Sequence, residues 1–584
     1  MLDALQARGL DSNTLIVFLS DKGGARNNAS NNGALRDFKH SVYEGGIRVP
    51  FLLSWPGKLR ENTVFRQPVI CLDVLPTVAS AAGVALPKDR EYHGRNLLPY
   101  LNGSATGPVH EWLFRDGGEK KLAVRNGRVW LERGCPEHGL ISTLYDESAE
   151  ILTYLEQWTA PTKVHAPDRV GNFLPVPAAY AQGLPEMQTQ HTCILLEDVI
   201  EHCNLRCPTC FTDSGPALAG IVAVEEVLRS VDTRLERENG RLDVVMLSGG
   251  EPTLHPDFGA LLDALVERPI VRILVNSNGI RIAQDDSLVA LLRRHRERVE
   301  VYLQFDGLRA ESSAAHRGAD IRRFKEAAVA RLSAAGVFTT LTMTAALGIN
   351  DDEIGDVVRL ALSTPYVGGV TIQPVFGSGR SRAIDPGDRL THTGVLARLG
   401  PQTGDLVTWR DLTALPCSHP HCCSVGYLLR DDAGQWRSLT AIVGPDRLKE
   451  WLELEPESLA NRIADDSIPA TLRQTVKSSL LDLLSEQSSL SHPSMSAIWR
   501  DICENCDLGL STLAILASSS LPGGAARMRK LLGERVVRLT VKPFMDIHTM
   551  IEERLTQCCV HVGTVGDGHQ CAPFCAVQAW NPLA

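Results

Sequence analysis

Three cysteines within eight residues, Cys203, Cys207 and Cys210, constrain what this chain can fold into more than any other feature. Thiolates that close together read as ligands of a metal centre, and the fold must enclose that centre. They stand directly ahead of a long alternation of short apolar runs and amphipathic stretches. The chain has 15 cysteines in 584 residues; only Cys71, Cys135 and Cys193 precede the trio, and the others gather in tight groups up to Cys575. An odd count, behind a start (Met1-Leu-Asp-Ala4) without the basic and apolar regions of a leader peptide, argues against a disulfide framework and for a reducing, cytoplasmic setting. A composition of 44% hydrophobic and 22% charged residues excludes disordered and collagen-like classes. The net charge of −10 gives no footprint for nucleic acid, and no apolar run is long enough to span a membrane.

Behind the trio, Val224, Val227, Leu228, Val231 and Leu235 recur at helical spacing, followed by a strand-like run at Val244–Leu247. Phe258, Leu261, Leu262 and Leu265 predict a helix, Ile270–Val275 a strand, and Leu288–Leu292 a helix start. Val299–Phe305, Phe324–Leu332, Thr339–Thr344 and Val370–Val375 continue the alternation. Repeated βα units imply a parallel sheet, open or closed into a barrel, with chemistry at the carboxyl ends of its strands. Polar turns fall at those ends: Ser248-Gly249-Gly250-Glu251-Pro252, Asn276-Ser277-Asn278-Gly279 and Gln304-Phe305-Asp306-Gly307. On residue chemistry alone, three thiolates suit three irons of a [4Fe–4S] cluster with the fourth open. Zinc would need a fourth ligand, for which His202 or a distant residue is the candidate.

The C-x3-C-x2-C spacing of Cys203, Cys207 and Cys210, taken with the Gly249-Gly250-Glu251-Pro252 turn, resembles the radical S-adenosylmethionine (SAM) superfamily. That resemblance implies a partial (β/α)6 barrel, a catalytic [4Fe–4S] cluster on the three cysteines, and S-adenosyl-L-methionine on the open iron. Gly249, Gly250, Glu251, Pro252, Asn276, Asn278, Gln304 and Asp306 are the implied cofactor contacts. Gly348–Gly355, Val370–Val375, Cys135-Pro-Glu-His138-Gly139 and Leu144-Tyr-Asp146 resemble the branch containing tetraether synthase and class D methylases. The branch has a metal knuckle ahead of its barrel, of which only the second half, Cys135 and His138, is present here. Nine cysteines lie in the C-terminal region, among them Cys503 and Cys506. The resemblance implies one or two auxiliary [4Fe–4S] clusters there, with Cys417, Cys422, Cys558, Cys559, Cys571 and Cys575 as candidate ligands. Met545 and the aromatics around it read as core.

The first segment differs in kind. Thr14–Ser20 is a continuous apolar run, readable as a buried strand of an α/β sheet, ended by Asp21-Lys22-Gly-Gly24. With Leu35–Lys39, Tyr43–Pro50, Trp55-Pro-Gly57 and the helix start Leu72–Thr77, it resembles the later part of a sulfatase catalytic domain, of alkaline-phosphatase-like fold. Asp21 matches a calcium-binding position, Lys22 replaces the expected Asn beside it, and Lys39 matches a sulfate-contacting lysine. The Cys/Ser-x-Pro-x-Arg nucleophile motif is missing from the chain, so covalent hydrolysis has nothing to act with. A fragment of such a sheet is also expected to leave an apolar face uncovered.

Four segments follow: a sulfatase-like fragment (1–127), a partial knuckle and connection (128–192), the barrel (193–395) and a Cys-rich domain (396–584). The expected activity is generation of a 5′-deoxyadenosyl radical for C–C bond formation or methylation at an unactivated carbon. The substrate would be lipid-like or a cofactor, the electron donor a ferredoxin or flavodoxin, and a lipid substrate would bring the enzyme to a membrane surface. The alternatives are a sulfuric ester hydrolase and a sulfatase-maturing radical enzyme.

Overall fold

The computed structural model describes residues 2–20, 48–90, 92–110, 113–116, 121–125, 127–135, 139–158, 191–238, 240–415, 418–431, 433–445, 524–563 and 571–580, besides positions 23, 24, 33 and 39. The chain divides into two compact units, residues 1–153 and 154–584.

In the first unit, strand β1 (Ile16–Leu19) pairs antiparallel with β2 (Phe51–Ser54). The sequence predicts a buried strand here, but Phe18 and its cross-strand partner Leu52 are each 61% exposed. Two strands alone cover one face at most, and among the described residues no third strand joins them. Helix Val74–Ala81 follows as the motif Leu72–Thr77 predicts. Its anchor is Asp73, fully buried, whose carboxylate accepts the N–H groups of Ile70 (2.8 Å) and Arg95 (2.7 Å) and meets His110 Nε2 at 2.9 Å. Strands β3 (Leu113–Asp116), β4 (Lys121–Arg125), β5 (Arg128–Cys135) and β6 (Gly139–Asp146) then form an antiparallel meander in sequence order.

The second unit is built on six parallel strands: β7 (Ile194–Ile200), β8 (Leu242–Gly249), β9 (Ile270–Ser277), β10 (Val299–Gln304), β11 (Thr339–Ala345) and β12 (Val367–Pro374). They lie side by side in chain order. Val244, Val245, Met246 and Leu247 in succession are buried, as expected of a strand covered on both faces. Helices return the chain between strands. Helix Val224–Arg237 buries Val227, Val231 and Leu235, opens with Glu225 and Glu226, and closes with Arg234 and Arg237, so its charges suit the helix dipole. Helix Asp286–Arg294 is capped by the Asp285 carboxylate, which accepts from Ser287 N and Leu288 N.

The C-terminal region adds to both edges of this sheet. Strands β13 (Thr413–Ala414), β14 (Ser424–Arg430), β15 (Trp436–Ser438) and β16 (Val536–Val541) extend it beyond β12, with β16 parallel to β12. Strands β17 (Val560–Gly563) and β18 (Cys571–Pro573) extend it beyond β7, with β17 parallel to β7. Buried polar contacts reach from the barrel to the first of these additions: Glu300 on β10 takes Arg272 (3.1 Å) and Thr340, and Arg538 of β16 lies 3.6 Å from Glu300 and 3.2 Å from Thr340 Oγ1. Among the described residues no helix is long and apolar enough to cross a membrane.

Candidate active site

The cysteine trio lies on the loop after β7, where the pairing of β7 with β8 shifts register between Asp198 and Ile200. Such an irregularity ends regular pairing and re-aims the chain. Cys203 and Cys207 are buried and Cys210 is partly so. Each sulfur faces a polar group, two of which come from outside the cysteine loop. Asn278 Nδ2 is 3.8 Å from Cys203 Sγ, Arg317 Nη1 is 3.9 Å from Cys207 Sγ, and Thr212 Oγ1 is 3.4 Å from Cys210 Sγ. Donors directed at sulfur stabilise an electron-rich thiolate, which suits iron–sulfur ligation. Burial pushes the Cys203 thiol up to about 12, so it would ionise only against a strong positive centre. His202 places Nδ1 3.1 Å from the Leu218 carbonyl. Among the described residues no set of His, Cys, Asp and Glu is spaced for a single metal ion. Three thiols on one loop supply the ligands that three irons of a [4Fe–4S] cluster take.

The Gly249–Pro252 turn ends β8 and leans on that loop. Gly250 N donates to Ile200 O (2.5 Å) and Glu251 N to His202 O (3.0 Å). Gly249 has φ +110°, and a Cβ there would stand 2.3 Å from Ile200 O; at Gly250 it would stand 2.1 Å from His202 O. The glycines therefore permit backbone approach to the cysteine loop itself. Glu251 is 1% exposed. One of its oxygens accepts from Thr253 Oγ1 (2.5 Å) and Ser277 Oγ (2.8 Å), the other from Asn278 N (2.7 Å). Burial raises its pKa against those hydrogen bonds. The carboxylate thus ties the end of β8 to the end of β9. Pro252 is buried and opens the short helical turn that carries Thr253.

Asn276 and Gln304 end neighbouring strands and bond to each other, Gln304 Nε2 donating to Asn276 Oδ1 at 2.8 Å. Asn278 also donates to Asn204 Oδ1 at 2.7 Å, inside the cysteine loop. Asp306 pairs with Arg317, whose Nε is 2.6 Å from Oδ2, and its Oδ1 accepts from Thr344 N at 3.2 Å. Burial acts to raise this carboxyl, but the Arg317 charge and hydrogen bonds outweigh it and hold it at about 2. Arg317 also donates to Gln304 Oε1 at 2.9 Å. The eight implied cofactor contacts are therefore gathered beside the trio, several of them already engaged with one another.

Sequence reasoning missed three side chains. Arg317 reads as the end of a helix before Gly318, yet it joins Asp306, Gln304 and Cys207. Lys325 is buried on the next helix and donates to Asn278 O at 2.7 Å; burial lowers its pKa to about 7. Arg380, after β12, donates to Cys207 O (2.6 Å) and Ser214 O (2.8 Å) and pairs with Asp213. No spacing rule in the sequence marks them, because each acts across a long separation.

A second group of thiols lines one cavity. Cys422, Cys558 and Cys575 lie there with Cys193, Cys423 and Cys559, among Leu415, Phe544 and Phe574. Cys558 and Cys575 are pushed up by burial, Cys575 to about 12, and each is influenced by Cys422. Arg554 Nε is 3.3 Å from Cys422 Sγ and Met545 N is 3.3 Å from Cys575 Sγ. Thiols lining one mostly apolar cavity, two of them met by N–H donors, have the chemistry of iron–sulfur ligands, as the first trio does. Cys193 and Cys423 were not singled out by sequence. Met545 is buried, as expected. Phe211 and Phe574, next in chain to Cys210 and Cys575, pack edge to face with centroids 5.7 Å apart, so the two cysteine sites adjoin. Cys417, Cys503, Cys506, Asp21, Lys22 and His138 lie outside the described residues, as do the side chains of Cys135 and Cys571.

Two stretches of the chain match known protein families. Residues 199–361 match the Radical SAM superfamily and residues 1–84 match the Sulfatase family. The 7,8-dihydro-6-hydroxymethylpterin dimethyltransferase of Methanocaldococcus jannaschii is 23% identical over 480 residues, covering 78% of this chain and 89% of that protein. Mouse steryl-sulfatase is 42% identical over 142 residues, covering 22% of this chain and 23% of the sulfatase. The chain thus spans about a quarter of the length of the sulfatases it matches. The crystal structure of Streptococcus suis SuiB bound to its precursor peptide SuiA aligns over 50% of this chain and 68% of that one, at 15% identity and TM-score 0.32. This chain carries a radical SAM domain, and in front of it a fragment of a sulfatase.

Proposed function

We propose that this is a radical SAM enzyme that methylates, or forms a C–C bond at, an unactivated carbon of a small molecule. Cys203, Cys207 and Cys210 hold the catalytic [4Fe–4S] cluster, with one iron left for S-adenosylmethionine. Together these cofactors supply a 5′-deoxyadenosyl radical. The chain's part is to hold the trio's loop against the Gly249–Pro252 turn, to place Asn276, Asn278, Gln304 and Asp306 around the cofactor, and to keep water from the reacting carbon. The observation that supports this reading is that each of the three sulfurs meets a polar group, two of them N–H donors from outside the cysteine loop: Asn278 just after β9 and Arg317 at the end of a helix.

Methylation is the favoured outcome, supported by the name of the Methanocaldococcus jannaschii relative that covers most of the chain. A pterin-like ring is accordingly the first substrate to try, and a lipid-like chain the second. The C-terminal thiols hold one or two auxiliary clusters, a ferredoxin- or flavodoxin-type protein donates electrons, and oxygen-sensitive clusters suit the cytoplasm. The sulfatase fragment has no hydrolase activity in this reading.

Anaerobic reconstitution with iron counting and a reductant tests it. The expected result is more than one cubane's four irons per chain and 5′-deoxyadenosine formation that Cys207→Ala abolishes. No 5′-deoxyadenosine from the wild type, or an unaffected Cys207→Ala, refutes the radical chemistry. Transfer of labelled methyl from S-adenosylmethionine to a pterin separates methylation from coupling. Sulfate release from a chromogenic ester, lost in Lys39→Ala, would restore the hydrolase alternative.

A further inference from the structure

Arg554 is a cation that the structure sets against a sulfur of the second thiol group. It lies on the short helix Glu552–Thr556 and is buried, its Nε 3.3 Å from Cys422 Sγ and its Nη2 2.7 Å from the Pro543 carbonyl. The second bond fixes the guanidinium's direction, because Pro543 lines the same cavity. Of the other charged groups nearby, Lys542 turns its amine toward Tyr302 Oη at 3.3 Å, and Asp546 is paired with Arg389 at 2.7 Å. The cavity walls are otherwise apolar, with Leu415, Phe544, Val560 and Phe574. In such a low-dielectric site a fixed positive charge at hydrogen-bond distance from a ligand sulfur weighs heavily.

We propose that Arg554 is a positioning and tuning residue of the auxiliary cluster, donating Nε–H to the Cys422 thiolate and raising the cluster's reduction potential. This rests on the reading that Cys422, Cys558 and Cys575 are cluster ligands. The sign follows from charge: adding an electron makes the cluster more negative, and a neighbouring cation favours the more negative form. Hydrogen bonds to cluster sulfurs act in the same direction. A guanidinium also offers a planar donor that an ammonium cannot reproduce at one fixed angle. Arg554 therefore makes the C-terminal site easier to reduce.

The test uses the full chain with Cys203, Cys207 and Cys210 all replaced by Ala, so that only auxiliary iron remains. In that background the potential of Arg554→Gln is read by anaerobic redox titration with electron paramagnetic resonance, beside iron content. We expect about four irons per cluster in both proteins, and at least a tenfold shift of the reduction equilibrium toward the oxidised form in Arg554→Gln, which is about 59 mV for one electron. Arg554→Lys keeps the charge, and should show less than half of that shift with an altered signal shape. No iron in the parent protein overturns the auxiliary cluster and the role of Arg554 with it. Full iron with an unmoved potential in Arg554→Gln overturns the role of Arg554 alone. If Arg554→Gln loses its iron, Arg554→Lys decides: a potential equal to that of the parent with an unaltered signal overturns the proposal.

Discussion

Replacing Asp306 by Asn isolates the ionic link that carries the cysteine loop's neighbour, Arg317. Asp306 is buried and accepts from Arg317 Nε at 2.6 Å and from Thr344 N at 3.2 Å. Asn has nearly the same shape but no charge, and it would leave the guanidinium buried without its anion. Breaking a buried pair in this way costs about 3–5 kcal/mol. The titration gives a second figure. With its carboxyl held at about 2, against 3.8 ordinarily, Asp306 contributes roughly 2 kcal/mol through proton linkage. The folded pKa is depressed, so this contribution is fully present above about pH 4 and is lost as pH falls toward 2. The linkage figure is the smaller because it counts only the charge, whereas substitution also strands the arginine. The assay is urea unfolding at neutral pH of wild type, Asp306→Asn, Arg317→Met and the double variant, followed by circular dichroism. Coupling between the two sites should be about 2 kcal/mol or more. Effects that add to within about 0.5 kcal/mol would refute the reasoning, since independent sites behave that way. A wild-type advantage over Asp306→Asn that does not shrink between pH 4 and pH 2 would refute the charge argument separately.

Gly250→Ala puts a methyl 2.1 Å from the His202 carbonyl, so the cysteine loop must move; bound iron should fall by at least half, measured by iron analysis, whereas Gly259→Ala, which meets only Leu291 at 3.8 Å, should keep it. Glu197 is buried, accepts from Ser230 Oγ at 2.7 Å and is pushed up by burial to about 8. Its folded pKa is raised, so it stabilises the fold less as pH climbs from about 4.5 to 8, and Glu197→Gln should be more stable than wild type at pH 9 by a few kcal/mol in urea unfolding. Asp73→Ala strands the N–H groups of Ile70 and Arg95 and the His110 ring, costing about 3 kcal/mol. Limited proteolysis should then cut the first unit faster while 5′-deoxyadenosine formation stays within twofold of wild type.

Much of the second unit was legible because each βα unit is local. A strand buried on both faces is a continuous apolar run, a helix packed on one face repeats every three or four residues, and both signals fit inside about fifteen residues. Val244–Leu247 and Phe258–Leu265 are such cases, and β8 and helix Phe258–Val266 stand where those runs predict. The edges of the sheet were not legible. Val536–Val541 and Val560–Gly563 lie far along the chain from the strands they join, and only pairing with β12 and β7 makes them part of the barrel sheet. In the first unit the run Thr14–Ser20 marks a strand, but its burial depends on neighbours the run does not encode. Phe18 stays exposed for that reason.

By itself the sequence determined the chemistry available: three thiols on one loop, a glycine-glycine turn after the next strand, polar residues at further strand ends, and a sulfatase fragment without its nucleophile. These are matters of residue type and short spacing, which folding cannot alter. Tertiary structure decided which groups meet. It spent the Glu251 and Asp306 carboxylates on Ser277 and Arg317, brought Lys325 under Asn278, and set Arg554 against Cys422 across more than a hundred residues of chain. A buried charge or hydrogen-bonding group must find a partner wherever the packing provides one. That choice is made by three-dimensional packing, so no local pattern in the chain records it.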